Sequence, residues 1–238
     1  MKLSYLITCS TETDTLERLL SLVGNYVRNN PDDELVVVID KDAKDNEKTK
    51  HILAGLAVQM GPEYMDKRVK IFEHPLDKDY GAHKNFGNSK CTGDWIFQID
   101  GDELPHDTLL ENIKAVIESN PTVELYWVGR VNDFIGVTED DAKRWGWRLT
   151  PCPEYDNRPI VSWPDPQGRI YKNVPERIKW VHRLHECISG HTQYSILPYE
   201  VQWSLYHDKD IVTQNKTNER YMSTFTETEN SGGTVHKK

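Results

Sequence analysis

An α/β fold with a mostly parallel central sheet and helices on both faces is predicted by three features of the sequence. Strand-like and helix-like segments alternate through the first half of the chain, the rhythm by which crossover helices build parallel sheets. One of those strands, Glu34–Asp40 (ELVVVID), is a nearly continuous apolar run, as expected where both faces are covered. Thr8, Asp40 and Asp100 then stand toward the carboxyl ends of strands, the side on which open sheets of this kind take their ligands.

The elements follow in order. Leu3–Cys9 (LSYLITC) is short and apolar and meets Glu12 and Asp14 almost at once, too early for the core of a secretory signal, so it reads as a first strand. Thr11 and Asp14 have capping-box spacing, and Leu16, Leu19, Leu20, Val23 and Val27 fall on one helical face behind them. After the strand at 34–40 a second helix occupies about 47–59, and a short third strand at 69–72 leads into Gly81 to Ser89, which opens as a helix. Residues 95–99 (WIFQI) form a fourth strand that runs directly into Asp100-Gly101-Asp102-Glu103. Another helix spans 108–119, with Leu109, Ile113, Val116 and Ile117 on one side and Thr108 three residues before Glu111. A strand at 125–131 follows. Beyond it Trp145, Trp147, Trp163 and Trp180 are scattered among Pro151, Pro153, Pro159, Pro164 and Pro166, which predicts a loop-rich region. A last helix is expected over 211–225, and residues 227–238 (ETENSGGTVHKK) lack the apolar content to order themselves.

Composition removes several function classes. With 38 acidic and 29 basic side chains the net charge is -9, which repels a phosphate backbone and argues against nucleic acid as a partner. No window approaches the roughly 18 apolar residues of a membrane-spanning helix. Cys9, Cys91, Cys152 and Cys187 show no C-x-x-C spacing, so neither a structural zinc site nor a disulfide framework is expected. A reducing, cytoplasmic location fits, with peripheral attachment to a membrane compatible with it.

Asp100-Gly101-Asp102 at a strand end is the most informative local feature. Carboxylates two positions apart can converge on one hard divalent cation whose other ligands come from a diphosphate; an ordinary Asp-Gly turn accounts for the same tripeptide. Val36 to Asp40, Gly81 to Gly87 (GAHKNFG), Gly93-Asp94 and Ile99 to Asp102 appear together, in that order. This set resembles the inverting family 2 glycosyltransferases of GT-A fold. Their pattern is a strand ending in Asp, then a glycine followed shortly by (Arg or Lys)-Asn-x-Gly, then Gly-Asp before an apolar strand that ends in Asp-x-Asp. Lys84 stands at the position more often held by Arg, which keeps the charge and loses the bidentate fork. In the second half, Gly168 to Asn173, Trp180, His185-Glu186, Tyr206-His207 and the group Asn218, Arg220, Tyr221 are similar to the lipopolysaccharide-core type of sugar transferase. Residues 136–165 match nothing in that pattern.

The resemblance implies a GT-A domain over residues 1–226, with a nucleotide-sugar donor half at 1–103 and an acceptor and catalytic half at 104–226. It implies a nucleoside-diphosphate sugar as donor, a UDP-sugar first among them, Mn2+ or Mg2+ as cofactor, and a saccharide, glycolipid or other hydroxyl compound as acceptor. Thr8, Glu12, Asp40, Lys84 and Asp100 become the donor-binding residues, Asp100, Asp102 and His207 the metal ligands, and Glu186 the base that takes the acceptor's proton. Plainer roles stand beside these: helix capping for Thr8 and Glu12, a turn cap for Asp40, packing for His207. Two other functions share the fold, a catalytically inactive carbohydrate-binding scaffold and a sugar nucleotidyltransferase. The latter needs a glycine- and basic-rich loop after the first strand, where this chain has Ser10 to Asp14, an acidic segment. A zinc hydrolase is excluded, because Ser189 occupies the place of the second histidine of H-E-x-x-H.

Overall fold

β1 (Leu3–Cys9) and β2 (Glu34–Asp40) are buried at every position, so both faces of the sheet must be covered where they lie. The computed structural model describes residues 1–10, 13–43 and 46–230. Between and after these strands come α1 (Thr13–Asn29), α2 (Asn46–Met60), β3 (Val69–His74), α3 (Tyr80–Asn88), β4 (Trp95–Asp100), β5 (Leu104–Pro105) and α4 (Asp107–Ser119). The second half contributes β6 (Leu125–Ile135), α5 (Glu139–Trp145), β7 (Leu149–Pro151), β8 (Pro159–Val161), β9 (Gln167–Lys172), β10 (Lys179–Val181), β11 (Cys187–Ser189), β12 (Tyr194–Ile196), β13 (Ser204–Asp210), α6 (Ile211–Thr224) and α7 (Glu227–Asn230).

Side chains alternate between two layers, as the pleat requires. Tyr5, Ile7, Val37, Ile39, Phe97 and Ile99 pack against α1, α2 and α4 on one face, where Leu16, Leu19, Leu20, Val23 and Val27 form the expected stripe. Leu6, Val36, Val38 and Ile96 point to the other face, toward Phe86 of α3 and Trp180 and Ile188 of the β10–β11 hairpin. Helices therefore do lie on both sides. The strand order is β3-β2-β1-β4-β9-β6-β13-β5. It is parallel from β3 to β4, but β9 enters antiparallel to both β4 and β6, and β13 returns parallel to β6. The sheet is thus parallel in its first half and mixed in its second, because the loop-rich segment feeds strands in without crossover helices.

Local signals explain three departures from the expected elements. Within the segment read as loop, Thr138 and Asp141 form a reciprocal capping box, and Gly146 closes α5 in the left-handed region at φ 69. The cap of α4 is His106, whose ring accepts from Thr108 N, so Thr108 lies inside the helix. Residues 227–230, assigned by composition to a disordered tail, form α7, where the Asn230 amide donates to three carbonyls, those of Tyr221, Phe225 and Thr226. Residues 231–238 lie outside the described residues.

At the opposite end of the sheet from Asp100, fully buried Glu34 joins β1, β2, β3 and the turn before β4. Its carboxylate accepts from Ser4 Oγ at 2.6 Å, Thr92 N at 2.5 Å and Lys70 Nζ at 2.8 Å. Burial alone would raise this carboxyl, yet Lys70, Ser4 and Thr92 together bring it down to about 2. A group depressed on folding stabilises fully above its unfolded value and loses that contribution as pH falls toward the folded one. Urea unfolding of the wild type should therefore show a loss on the order of 3 kcal/mol from Glu34 as the pH drops from the ordinary carboxyl range toward 2. Glu34→Gln should lack that part of the acid limb; an identical acid limb in the variant would show that Glu34 is not its source.

Candidate active site

β1, β2 and β4 end side by side, and the pairing of Thr8 with Asp100 in register brings the two side chains together. Thr8 Oγ1 donates to Asp100 Oδ1 at 3.2 Å, and the Gln98 amide donates to the same oxygen at 2.9 Å. The turn that follows passes so close to β1 that a Cβ on Gly101 would lie 2.7 Å from that of Cys9, which explains the glycine between the two aspartates. Asp102, past the turn, meets His207 Nε2 at 3.2 Å and Lys209 Nζ at 2.7 Å, both from β13. At the end of β2, Asp40 accepts from Ser10 Oγ, Asp42 N and Leu76 N, and so ties the chain after β1 to the chain after β3.

α3 connects this mouth to the hairpin. Asp79 caps the helix through Ala82 N, and Gly81 faces the carbonyl of His182 at a spot where a Cβ would stand 2.3 Å from that oxygen. Asn85 acts as a piece of strand: its amide donates to Trp180 O at 2.8 Å and accepts from Trp180 N at 2.9 Å. Lys84, whose side chain is 3% exposed, sits over the Trp180 ring at 4.6 Å. It reaches Asp100 at 2.9 Å and Glu186 at 2.5 Å. Glu186 leaves the β10–β11 turn beside His182 and His185, two residues at positive φ that point outward.

Behind the aspartates lies a second set of charges. Arg169, in the middle of β9 and 3% exposed, donates to Gln98 Oε1, Asp100 Oδ2 and Glu103 Oε1, each at 2.6 Å. Arg130 joins Glu103 to Asp165, and Asp165 in turn accepts from Asn132, which contacts His207. Burial alone would raise the carboxyl of Asp100, but Arg169 and then Lys84 hold it below the ordinary range. Against the same effect of burial, His207 and Lys209 hold Asp102 well below it.

Of the residues singled out from sequence, Thr8, Lys84, Asp100 and Glu186 form one contiguous cluster. Asp102 and His207 form a second, in direct contact with each other. Asp40 stands apart at the neighbouring strand end, and Glu12 lies outside the described residues. Among the described residues no three His, Cys, Asp or Glu side chains converge closely enough to enclose a cation. The chemistry of the half-site nevertheless fits one. Asp102 and His207 offer a carboxylate oxygen and a ring nitrogen at a point where Lys209 already places a positive charge, and Mg2+-type sites take further oxygens from substrate phosphates. Arg169, Arg130, Asn132, Asp165 and Lys209 were given no role from sequence. Their only sequence signal is a charge or amide inside or next to a strand, which demands a partner when buried without naming it.

The family model described as Glycosyl transferase family 2 matches residues 4–174. An uncharacterized glycosyltransferase of Rickettsia felis is 24% identical over 224 residues, covering 90% of this chain and 72% of that protein. Another from Rickettsia prowazekii is 26% identical over 162 residues, 68% of this chain and 48% of the relative, so the chain aligns with about half of that protein. Among solved structures, S. aureus TarS 1–349 in complex with UDP-GlcNAc is similar at a TM-score of 0.58 and 17% identity, covering 88% of this chain and 59% of that one. The same TarS fragment in a second structure gives 0.55 at 16% identity over 97% and 68%. At such identities the likeness carries the fold, which is that of the GT-A glycosyltransferases. With a match extending over well beyond half of its length, the chain belongs to glycosyl transferase family 2.

Proposed function

We propose that the protein transfers a sugar from a nucleoside-diphosphate sugar to a hydroxyl acceptor with inversion at the anomeric carbon and with the help of a divalent cation. Lys84 carries this reading: one buried ammonium bridges Asp100, on the donor side, and Glu186, a carboxylate able to take a proton. In a single displacement the acceptor oxygen attacks the anomeric carbon, its proton passes to Glu186, and the nucleoside diphosphate leaves with the electron pair of the broken glycosidic bond. The leaving group gains negative charge as that bond breaks, and Lys84 is the nearest cation of the cluster that both faces the donor side and contacts the base.

Asp102 and His207, with Asp100 beside them, are the residues to hold Mn2+ or Mg2+. A bound cation would neutralise the diphosphate and make it a better leaving group. Asp40, with Ser10 and the Leu76 amide around it, offers a carboxylate acceptor to a nucleobase ring N–H at the end of β2. UDP-GlcNAc in the TarS complex supports a uridine nucleotide as the first donor to try. A saccharide, glycolipid or other alcohol would approach from the Trp180 and Glu186 side. No helix among the described residues is long and apolar enough to cross a membrane.

Two substitutions separate the donor side from the chemical step. Asp102→Ala should remove most Mn2+-supported affinity for UDP in calorimetry while affinity for UDP without metal stays close to wild type. Some loss of melting temperature is expected because His207 and Lys209 lose their partner, and unchanged affinity with metal present would sink the metal assignment. Glu186→Gln keeps the shape and cannot accept the proton, so turnover should fall by roughly 100-fold or more with UDP affinity close to wild type. Product anomers read by NMR should be inverted relative to the donor, and retention of configuration would overturn the single displacement.

A further inference from the structure

On the metal-dependent reading above, we propose that Asn132 and Asp165 are positioning residues that fix the tautomer of His207, so that its Nε2 lone pair is offered to the divalent cation. Asn132 lies in β6 and stands opposite His207 of β13 in register. It is 4% exposed, so every polar atom it carries must find a partner inside the protein. Its Nδ2 lies 2.7 Å from Asp165 Oδ2 and 3.2 Å from the carbonyl of Val161. Both of those atoms only accept, so the amide cannot be turned round without setting oxygen against oxygen. Oδ1 therefore faces the imidazole, 2.8 Å from Nδ1, and Nδ1 must carry a hydrogen whether or not Nε2 does.

A neutral ring protonated at Nδ1 has its free lone pair at Nε2. That atom points at Asp102 Oδ2, 3.2 Å away, with the Lys209 ammonium 2.7 Å from the same oxygen. An Nε2–H can donate to that oxygen; a cation bound there would take the place of that hydrogen, and because Nδ1 is committed to Asn132, Nε2 is the ring atom that supplies the ligating lone pair. Asp165 is itself anchored. Arg130 Nε donates to it at 2.8 Å and Gln167 Nε2 at 3.0 Å, while the turn that presents it puts Ser162 and Asp165 at φ 55 and 39, a region costly for residues with a Cβ. Arg130 also bonds Glu103, the partner of Arg169, so one set of hydrogen bonds orients both the histidine and the Asp100 carboxylate.

The test is Mn2+ binding followed by electron paramagnetic resonance with UDP present, not turnover. Asn132→Leu, which keeps the branched shape and removes the acceptor, should weaken Mn2+ by about 10- to 100-fold, while UDP binding without metal stays at the wild-type level. Asn132→Ser, a milder and shorter polar replacement, should weaken it in the same direction if the leucine variant folds poorly. In a His207→Gln background the Asn132 change should cost nothing further, because a residue that acts through the ring has nothing left to act on. Nitrogen-15 ring signals of His207 should show the proton at Nδ1 in the wild type. Unchanged Mn2+ affinity in both Asn132 variants, or the same loss with and without His207, would overturn the positioning role and leave the metal assignment standing. A wild type that binds no Mn2+ alongside UDP would overturn the metal assignment and this role with it.

Discussion

Arg169 is the constraint on which the site is built. Its guanidinium is always charged, and a charge buried among strands is tolerated only where acceptors and opposite charge meet it. Gln98 and Asp100 at the end of β4 and Glu103 in the following turn supply them to its two terminal nitrogens, while Nε has no hydrogen-bond partner among the described residues. The direction of the Asp100 carboxylate is therefore set from behind, by β9, before any ligand arrives. Because β9 lies between β4 and β6, the same residue ties the parallel half of the sheet to the mixed half. Removing it would leave Asp100 with Lys84, and Glu103, which has no exposure at all, with Arg130, as their remaining cations.

The two aspartates of the turn consequently differ in kind. Asp100 is held by a buried arginine and a buried lysine, whereas Asp102 is held by one histidine and by Lys209, a lysine about one-fifth exposed on a flexible stem. Exchanging Lys209 for another cation requires only that its side chain swing away. Exchanging Arg169 would require the sheet to open. Sequence spacing presents the pair as equivalent, and only the surroundings divide their duties.

The first half of the chain was legible because its signals are local. The helical stripe of α1, the apolar run of β2 and the Asp-Gly-Asp turn each depend on residues within a few positions of one another, and each stands where the spacing put it. Lys84 and Glu186 were found through motif order, although 102 positions separate them. Arg169 falls inside the Gly168 to Asn173 stretch without a task the sequence assigns, since its three partners lie 66 to 71 positions away and nothing in the local pattern selects them. The antiparallel entry of β9 was missed for a related reason: strand direction is decided by which partner a short segment finds, and the proline-rich stretch before it carries no periodicity to show that. α5 was legible after all, in the Thr138 to Gly146 caps, and was hidden by the tryptophans and prolines around it.

Asn85 joins α3 to the hairpin by a two-way amide bond, and Gly81 lets the helix rest directly on the carbonyl of His182. The hairpin is a separate two-stranded sheet, so this helix is one of its principal moorings. Helix and hairpin consequently behave as one solid piece with a lysine on one side and a glutamate on the other. For the evolution of the protein this is a restriction. Loops that recognise different acceptors usually diversify freely around a stable frame, but here a new shape for the 182–186 turn would tug on the helix that faces the donor. Variation in what is glycosylated is easier to accommodate in β7, β8 and α5, which are moored elsewhere, than in the turn that carries Glu186.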